Sequence, residues 1–494
     1  MDKYAYTGET IDNLFTGDKA VDGRAVDGKD VDGWNIPYIS RASMPAGPVE
    51  QHSTHDKSTG RAMDAKTQNL VLFAGSSGTD ATNFNAWNSA TVDEFGDPIV
   101  IDDFAWGGNY ETGTLFNNDG TLNAMGEDLA ENYDDEAYWN DVMSQISYET
   151  AVGFVNDAHP NTKGIAVLNY PQTTSLDGPA QIGSFGRSGK DTGVGFPCDA
   201  VLAQTWNKDL LFEVGLEMGA QMSIYGIYGV YGCGMNIHRN PFGGRNYEYF
   251  SEDPYLTGAM AVNYAKGVKL TGHLAILKHF ALAETETSRD SLYTYTSEQA
   301  LREIYLEPFR MAVEGEGLCK GAEEYKEKGH QYEPVCNGIM TSYNRIGAVW
   351  AGGSAALLKG VLAKEWGFVG EIITDWSDNN QYMHLDQTLR YGGALGMSVS
   401  LRFSWRDGRA KIALRDAIKG VIYANLRAKL AKADYDTHPY AGKKSSSAIV
   451  TPPTDWVSPL IVAINVVGYT GAAAIIYFLV LGHPGLKFGK KKEN

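Results

Sequence analysis

From about residue 136 the hydrophobic and polar positions switch repeatedly between two periods. Residues 139–158 place Val142, Ile146, Ala151 and Phe154 at helical spacing, which predicts a helix. Residues 172–179 form a β-type run that ends in the turn Asp177-Gly178-Pro179. Residues 206–222 predict a helix, 224–237 a glycine-punctuated β segment, and 256–270 another helix. The apolar run 274–280 predicts a strand ending in Lys278-His279-Phe280. In 297–314, Ser297 is placed to cap a helix whose apolar face is Leu301, Ile304, Tyr305, Phe309 and Ala312. Strands at 338–343, 371–376 and 395–401 and helices at 355–366 and 412–430 complete the pattern.

Strand–helix alternation at this spacing predicts parallel strands joined by crossover helices, an α/β fold. Polar residues recur at the ends of successive strands, which favours a (β/α)8 TIM-like barrel over residues 136–435, because such barrels gather strand ends at one mouth. A doubly wound open sheet would focus function on one switch point.

Outside that span the periodicity fails. Residues 1–135 read as an irregular, Gly- and Asp-rich lead-in or inter-domain segment, with Val-Asp-Gly at 21, 26 and 31 and one candidate strand at 69–74. The Asp-x-Asp-x-Asp-Gly of a calcium loop is missing there. Residues 436–455 read as a linker. Residues 456–481 are uncharged and mostly apolar, long enough to cross a hydrocarbon core of roughly 30 Å. The following tail, 482–494, carries Lys487, Lys490, Lys491 and Lys492, a basic cluster that marks a cytoplasmic side. The expectation is a single-pass protein of the cell membrane with its folded domain outside. Met1 opens onto no basic and apolar leader, so a chain lacking its natural beginning is expected.

A net charge of −18 and a pI near 5.0 exclude a nucleic-acid partner, which needs a basic footprint. Four cysteines show no metal-ligand spacing, and neither a metal nor a cofactor is expected. Cys319 and Cys336 bracket a polar insertion, where a disulfide and two free thiols are both open.

The candidate chemistry sits at the strand ends. Asp375 closes a run of β-branched residues and precedes Trp376, an arrangement suited to a carboxylate meeting a developing positive centre beside an aromatic floor. Asp177, Arg245, Lys278 and His279 could hold a small polyol, with Tyr343 and Met340 nearby. Each has a plainer reading. Asp375 could cap a helix, Asp177 could make an Asx turn, and Arg245 could pair with Glu248 or Glu252. His279, Met340 and Tyr343 could be core residues.

The run Asn236-Ile-His-Arg-Asn-Pro-Phe-Gly-Gly-Arg-Asn-Tyr-Glu-Tyr-Phe-Ser-Glu-Asp-Pro-Tyr-Leu-Thr-Gly258 resembles glycoside hydrolase family 3, the β-glucosidase-like family. Lys278-His-Phe280, Ser297-Glu-Gln-Ala-Leu-Arg-Glu-Ile-Tyr305, Met340-Thr-Ser-Tyr-Asn-Arg345 and Thr374-Asp-Trp376 resemble it too, over roughly residues 136–430. The resemblance implies a retaining exo-acting β-glycosidase. Asp375 is then the nucleophile, Trp376 lines the glycosyl subsite, Asp177, Arg245, Lys278, His279 and Tyr343 hold the sugar hydroxyls, and Met340 borders the pocket. Asp177 in Asp-Gly-Pro resembles the glucosidase form, which favours a β-glucoside over a β-xyloside. The lack of a Pro-Gly-His-Gly continuation after Phe280 places an N-acetylglucosaminide third.

A retaining enzyme also needs an acid/base carboxyl roughly 5–5.5 Å from the nucleophile. In this family it usually comes from an α/β sandwich domain, which the resemblance leaves to a missing domain or a partner chain, as in members with reversed domain order. Glu284 and Glu286 are the in-chain candidates, Glu286 being carried forward. A chain lacking this group is expected to be a weak hydrolase, or a membrane-anchored sugar-binding protein, because general acid catalysis contributes about 10²- to 10⁴-fold.

Overall fold

Leu274–Phe280 is buried at every position, as a strand covered on both faces must be. It is the centre of the molecule in the computed structural model, which describes residues 14–15, 87–108, 113–156, 158–183, 193–287, 289, 292–323, 335–347, 349–376, 383–397, 403 and 405–437. The chain divides into two compact units, Met1–Asp436 and Thr437–Asn494, and all described residues but Thr437 lie in the first.

One sheet runs through this unit. Strand β1 (Asn161–Thr162) pairs antiparallel with β2 (Thr173–Asp177). From β2 the order continues, all parallel, through β3 (Gly229–Gly234), β4 (Leu274–Phe280), β5 (Gly338–Thr341) and β6 (Glu371–Ile373). A single parallel bridge joins Ile373 to Leu395; no strand is formed at 395–397, and the rest of the expected strand at 395–401 lies outside the described residues. The result is a mixed α/β fold whose sheet curls as a half-barrel. Eight strands closing on themselves, the expected barrel, are not present among the described residues.

Crossover helices cover the sheet. Helix α1 (Lys208–Tyr225) starts where Asn207 Oδ1 accepts from Leu210 N–H (3.1 Å) and stops at Gly226, whose φ of +65° suits glycine. Helix α2 (Pro254–Leu270) is capped by Asp253, with Pro254 in the first turn where its missing N–H costs nothing. The predicted helix at 297–314 is broken. Pro308 has no N–H to continue the ladder, and the chain passes through a π turn, Leu301–Tyr305, in which Leu306 N–H reaches back to Leu301 O (2.8 Å), before helix α3 (Glu307–Glu314). The predicted helix at 139–158 is likewise two, Glu136–Met143 and Tyr148–Val155, because Ser147 Oγ accepts from Thr150 N–H (3.1 Å) and restarts it.

Part of the lead-in belongs to this body. Trp87, Phe104, Leu115 and Phe116 are buried in one cluster with Ile418 and Ile422 of the long helix α4 (Gly408–Thr437). Ion pairs flank that seam: Arg415 Nη1 to Asp102 Oδ2 and Lys419 Nζ to Glu136 Oε1, both 2.6 Å, and Arg409 Nη2 to Glu94 Oε1, 3.1 Å. Ala410 N–H donates to Asn88 Oδ1 at 2.7 Å.

Cys319 and Cys336 are buried free thiols, so of the two open readings the disulfide is not formed; Cys336 donates to Gly338 O (2.9 Å). Segments 69–74, 438–455, 456–481 and 482–494 and the Val-Asp-Gly repeats lie outside the described residues. Among the described residues no helix is long and apolar enough to cross a membrane, and no group of side chains could hold a metal ion.

Candidate active site

Two consecutive residues of a regular strand point to opposite faces, yet Lys278 and His279 serve one mouth. Pairing explains this. Strand β4 matches Ile276 to Gly338 and Leu277 to Ile339, then Phe280 to Thr341, so three residues of β4 advance against two of β5. The extra residue breaks the alternation at the strand end.

On one side of the mouth Lys278 Nζ lies 3.8 Å from Asp177 Oδ1 and 3.6 Å from Glu248 Oε2. Arg245 Nε donates to the other oxygen of Glu248. Glu248, foreseen only as a plain partner for Arg245, therefore fixes both cations at once. The spacing Arg245-x-x-Glu248 in the tight turn Asn246–Glu248 was the signal available. Lys278 is buried, whereas the Asp177 side chain keeps 67% of its surface open, positioned to accept from a ligand's hydroxyls. Behind them Asp199 is buried, and its Oδ2 makes no hydrogen bond among the described residues. Burial first, then the Glu248 charge, push its carboxyl well above the ordinary range, while Lys278 pulls it down. No sequence pattern marked it.

On the other side stands Asp375, just past β6. Its Oδ1 accepts from Trp376 N–H (2.7 Å), and its Oδ2 makes no hydrogen bond among the described residues and faces His279 Nε2 at 3.7 Å. Burial raises the Asp375 carboxyl, opposed by the Trp376 N–H and by Arg245, Arg289 and Lys278. His279 is clamped by Asn236, which accepts its N–H (2.9 Å) and donates to its carbonyl (3.0 Å), while Tyr249 OH lies 3.3 Å from Nδ1. Burial, then the cations Arg245, Lys278 and Arg289, hold the imidazole well below its usual value.

Trp376 packs with Tyr343, Trp350 and Met383, and His159 meets its indole edge-on at 5.2 Å. Arg289, unmarked in the sequence, lays its guanidinium over the Tyr343 ring (4.6 Å) and pairs with Glu286 Oε2 (3.0 Å). Glu286 Oε1 also lies 3.7 Å from Arg245 Nη1. Glu284 is buried, and burial pushes its carboxyl up to about 7. Met340 is enclosed in the core opposite Ile373 in the β5–β6 register. Asp177, Arg245, Lys278, His279, Tyr343, Asp375, Trp376 and Glu286 are thus linked through one network of contacts. A buried carboxylate with an oxygen that makes no hydrogen bond among the described residues, a ring nitrogen beside it, a cationic rim and an aromatic wall can position a polyol and attack an electrophilic carbon.

Residues 173–319 match the profile of the glycosyl hydrolase family 3 N terminal domain. A β-glucosidase of Ruminococcus albus is 38% identical over 206 residues, covering 41% of this chain and 20% of that protein. A β-glucosidase of Rhizobium radiobacter is 31% identical over 277 residues, 55% of this chain and 31% of that protein. The structure of β-glucosidase 3B from Thermotoga neapolitana in complex with α-D-glucose aligns at 28% identity and a TM-score of 0.49, over 60% of this chain and 46% of that one. On these matches residues 173–319 are similar to the N-terminal domain of glycosyl hydrolase family 3, and the chain is similar to part of these β-glucosidases. It spans under a third of the length of these curated relatives.

Proposed function

We propose that this chain is the sugar-binding, nucleophile-bearing part of a retaining β-glucosidase. The observation that carries the reading is Asp375, a buried carboxylate with one oxygen facing His279 and Trp376 beside it. Asp375 attacks the anomeric carbon as the bond to the aglycone oxygen breaks, forming a glycosyl-enzyme that water then opens. Lys278, Arg245, Asp177 and His279 hold the hydroxyls, and Trp376 carries the apolar face of the ring. The leaving oxygen takes its proton from an acid/base carboxyl. Glu286 is the candidate within the chain, although two arginines already engage it; a sandwich domain or partner chain is the source this reading favours. The same reading completes the half-barrel to eight strands and places residues 456–481 in a bilayer with the catalytic unit outside.

The test compares an activated aryl β-glucoside, whose leaving group needs little protonation, with a β-linked glucose disaccharide. Turnover of the aryl glucoside alone, abolished in Asp375→Ala, supports a working nucleophile whose acid is supplied from elsewhere. Comparable turnover of both substrates places the acid in this chain. Glucose binding with no turnover of either substrate overturns the enzyme reading in favour of a sugar-binding protein.

A further inference from the structure

A second cavity, of about 330 Å³, lies at the opposite end of the sheet from Asp375. Its wall includes the first residues of β2, Tyr228 just before β3 and His273 just before β4, so it sits beneath the strands' N-terminal ends. Helix α4 closes it with Asn425, Lys429 and Lys432, spaced four and three residues apart and hence on one face.

The chemistry of this wall has one sign. Two lysines line it and no carboxylate does. Lys432 is paired with Asp436 on its own helix. Lys429 makes no ion pair among the described residues, its ammonium reaching only Gly272 O at 3.3 Å. Burial and the neighbouring Lys432 depress its pKa, the signature of a cation lacking a counter-charge. The wall also carries buried polar groups short of partners: the hydroxyl of Tyr228, which makes no hydrogen bond among the described residues, and the amide of Asn425, whose side-chain neighbour is the Tyr170 hydroxyl. Such groups cost about 1–3 kcal/mol each when left unmade, so they mark a place built to meet polar atoms. Ser223 Oγ, 2.7 Å from His273 Nε2, adds a hydroxyl at the rim.

We propose that this cavity binds a phosphoryl oxyanion, either inorganic phosphate or the phosphate of a small sugar phosphate. Lys429 supplies the charge, Asn425 and Tyr228 donate to the anion's oxygens, and the volume matches the lower end of small-molecule sites. The proposal is independent of the hydrolytic reading, because none of these residues belongs to the Asp375 mouth.

Calorimetric titration at fixed ionic strength tests it, with inorganic phosphate in one arm and glucose 6-phosphate in the other. Saturable binding is expected in the unaltered chain and in Asp375→Ala. It should weaken at least about tenfold in Lys429→Met and Asn425→Leu, and less in Lys429→Arg. Equal affinity in the two arms identifies free phosphate as the ligand, and tighter glucose 6-phosphate identifies a sugar phosphate. Ser223→Ala, a milder change, serves if the core variants fail to fold and should also weaken binding. Binding lost in Asp375→Ala but kept in Lys429→Met places the anion at the other mouth and overturns the proposal. So does the absence of saturable heat in both arms.

Discussion

His279 Nε2 stands 3.7 Å from Asp375 Oδ2, yet the two side chains come from strand ends separated by a whole strand. Their approach depends on the extra residue in β4, and the clamp of Asn236 on the His279 backbone holds it. On the proposed reading, removing the carboxylate takes away the attacking atom and leaves the hydroxyl-holding residues in place. Asp375→Ala is therefore expected to lower aryl β-glucoside turnover at least about 1,000-fold while leaving glucose affinity within a few-fold. Steady-state kinetics with a glucose titration checks both halves.

Arg289 holds down the Asp375 pKa from its perch over Tyr343. On the proposed reading Asp375 works ionised as the nucleophile, so activity fades as pH falls through its pKa. Losing a cation that favours the anion raises that pKa. Arg289→Met should move the acid limb of kcat/KM to higher pH, and a pH–rate profile reads this. A parallel drop with an unmoved limb would show that Arg289 acts only by packing.

Glu371, the first residue of β6, is fully buried, and burial pushes its carboxyl up to about 8 from an ordinary 4.5. The unfolded chain releases this proton near 4.5 and the folded chain near 8. Stability is therefore complete below about pH 4.5 and declines as pH rises toward 8. Glu371→Gln removes the titration. It should stabilise the protein by roughly 2–4 kcal/mol at pH 8 and by little at pH 4.5. Thermal melts at the two pH values decide it, and an equal gap at both would refute the linkage.

Arg302 has 0% of its side chain exposed and bridges two segments, with Nε to Glu298 Oε1 (3.0 Å) and Nη1 to Glu365 Oε2 (2.6 Å). Glu298 in turn accepts the backbone N–H groups of Leu14 and Phe15. Arg302→Ala leaves a buried carboxylate without its cation. A loss of about 3–5 kcal/mol is expected in a urea titration, with Glu298→Gln in the same background restoring part of it.

Where periodicity and burial agree, the chain announces itself: the strand at 274–280 was readable to the residue, since the apolar run 274–277 closing on Lys278-His279-Phe280 suits a covered strand with a polar end. The helix at 297–314 was readable in its apolar face but not in its continuity, because the effect of Pro308 on the preceding turn depends on tertiary packing. Two adjacent functional residues, Lys278 and His279, already demand a distorted strand end; that the distortion is an extra residue set against β5 is a property of pairing between strands. Asp199 and Arg289 owe their places to neighbours distant in sequence, and no local spacing signals that. The packed part of residues 87–135 was hidden by its glycines and aspartates, since Trp87, Phe104 and Phe116 bury themselves against α4 without any regular period.

The seam between that segment and α4 sets a timetable for synthesis. Asn88 and Ala410 are joined across 322 positions. At about 5–20 residues per second, roughly 15 to 60 s separate the appearance of the two halves on the ribosome. Throughout that interval Trp87, Phe104 and Phe116 emerge before the surface that covers them exists. The nascent chain must either hold them in provisional contacts or borrow a chaperone, and a truncation that removes α4 would leave the same apolar face uncovered.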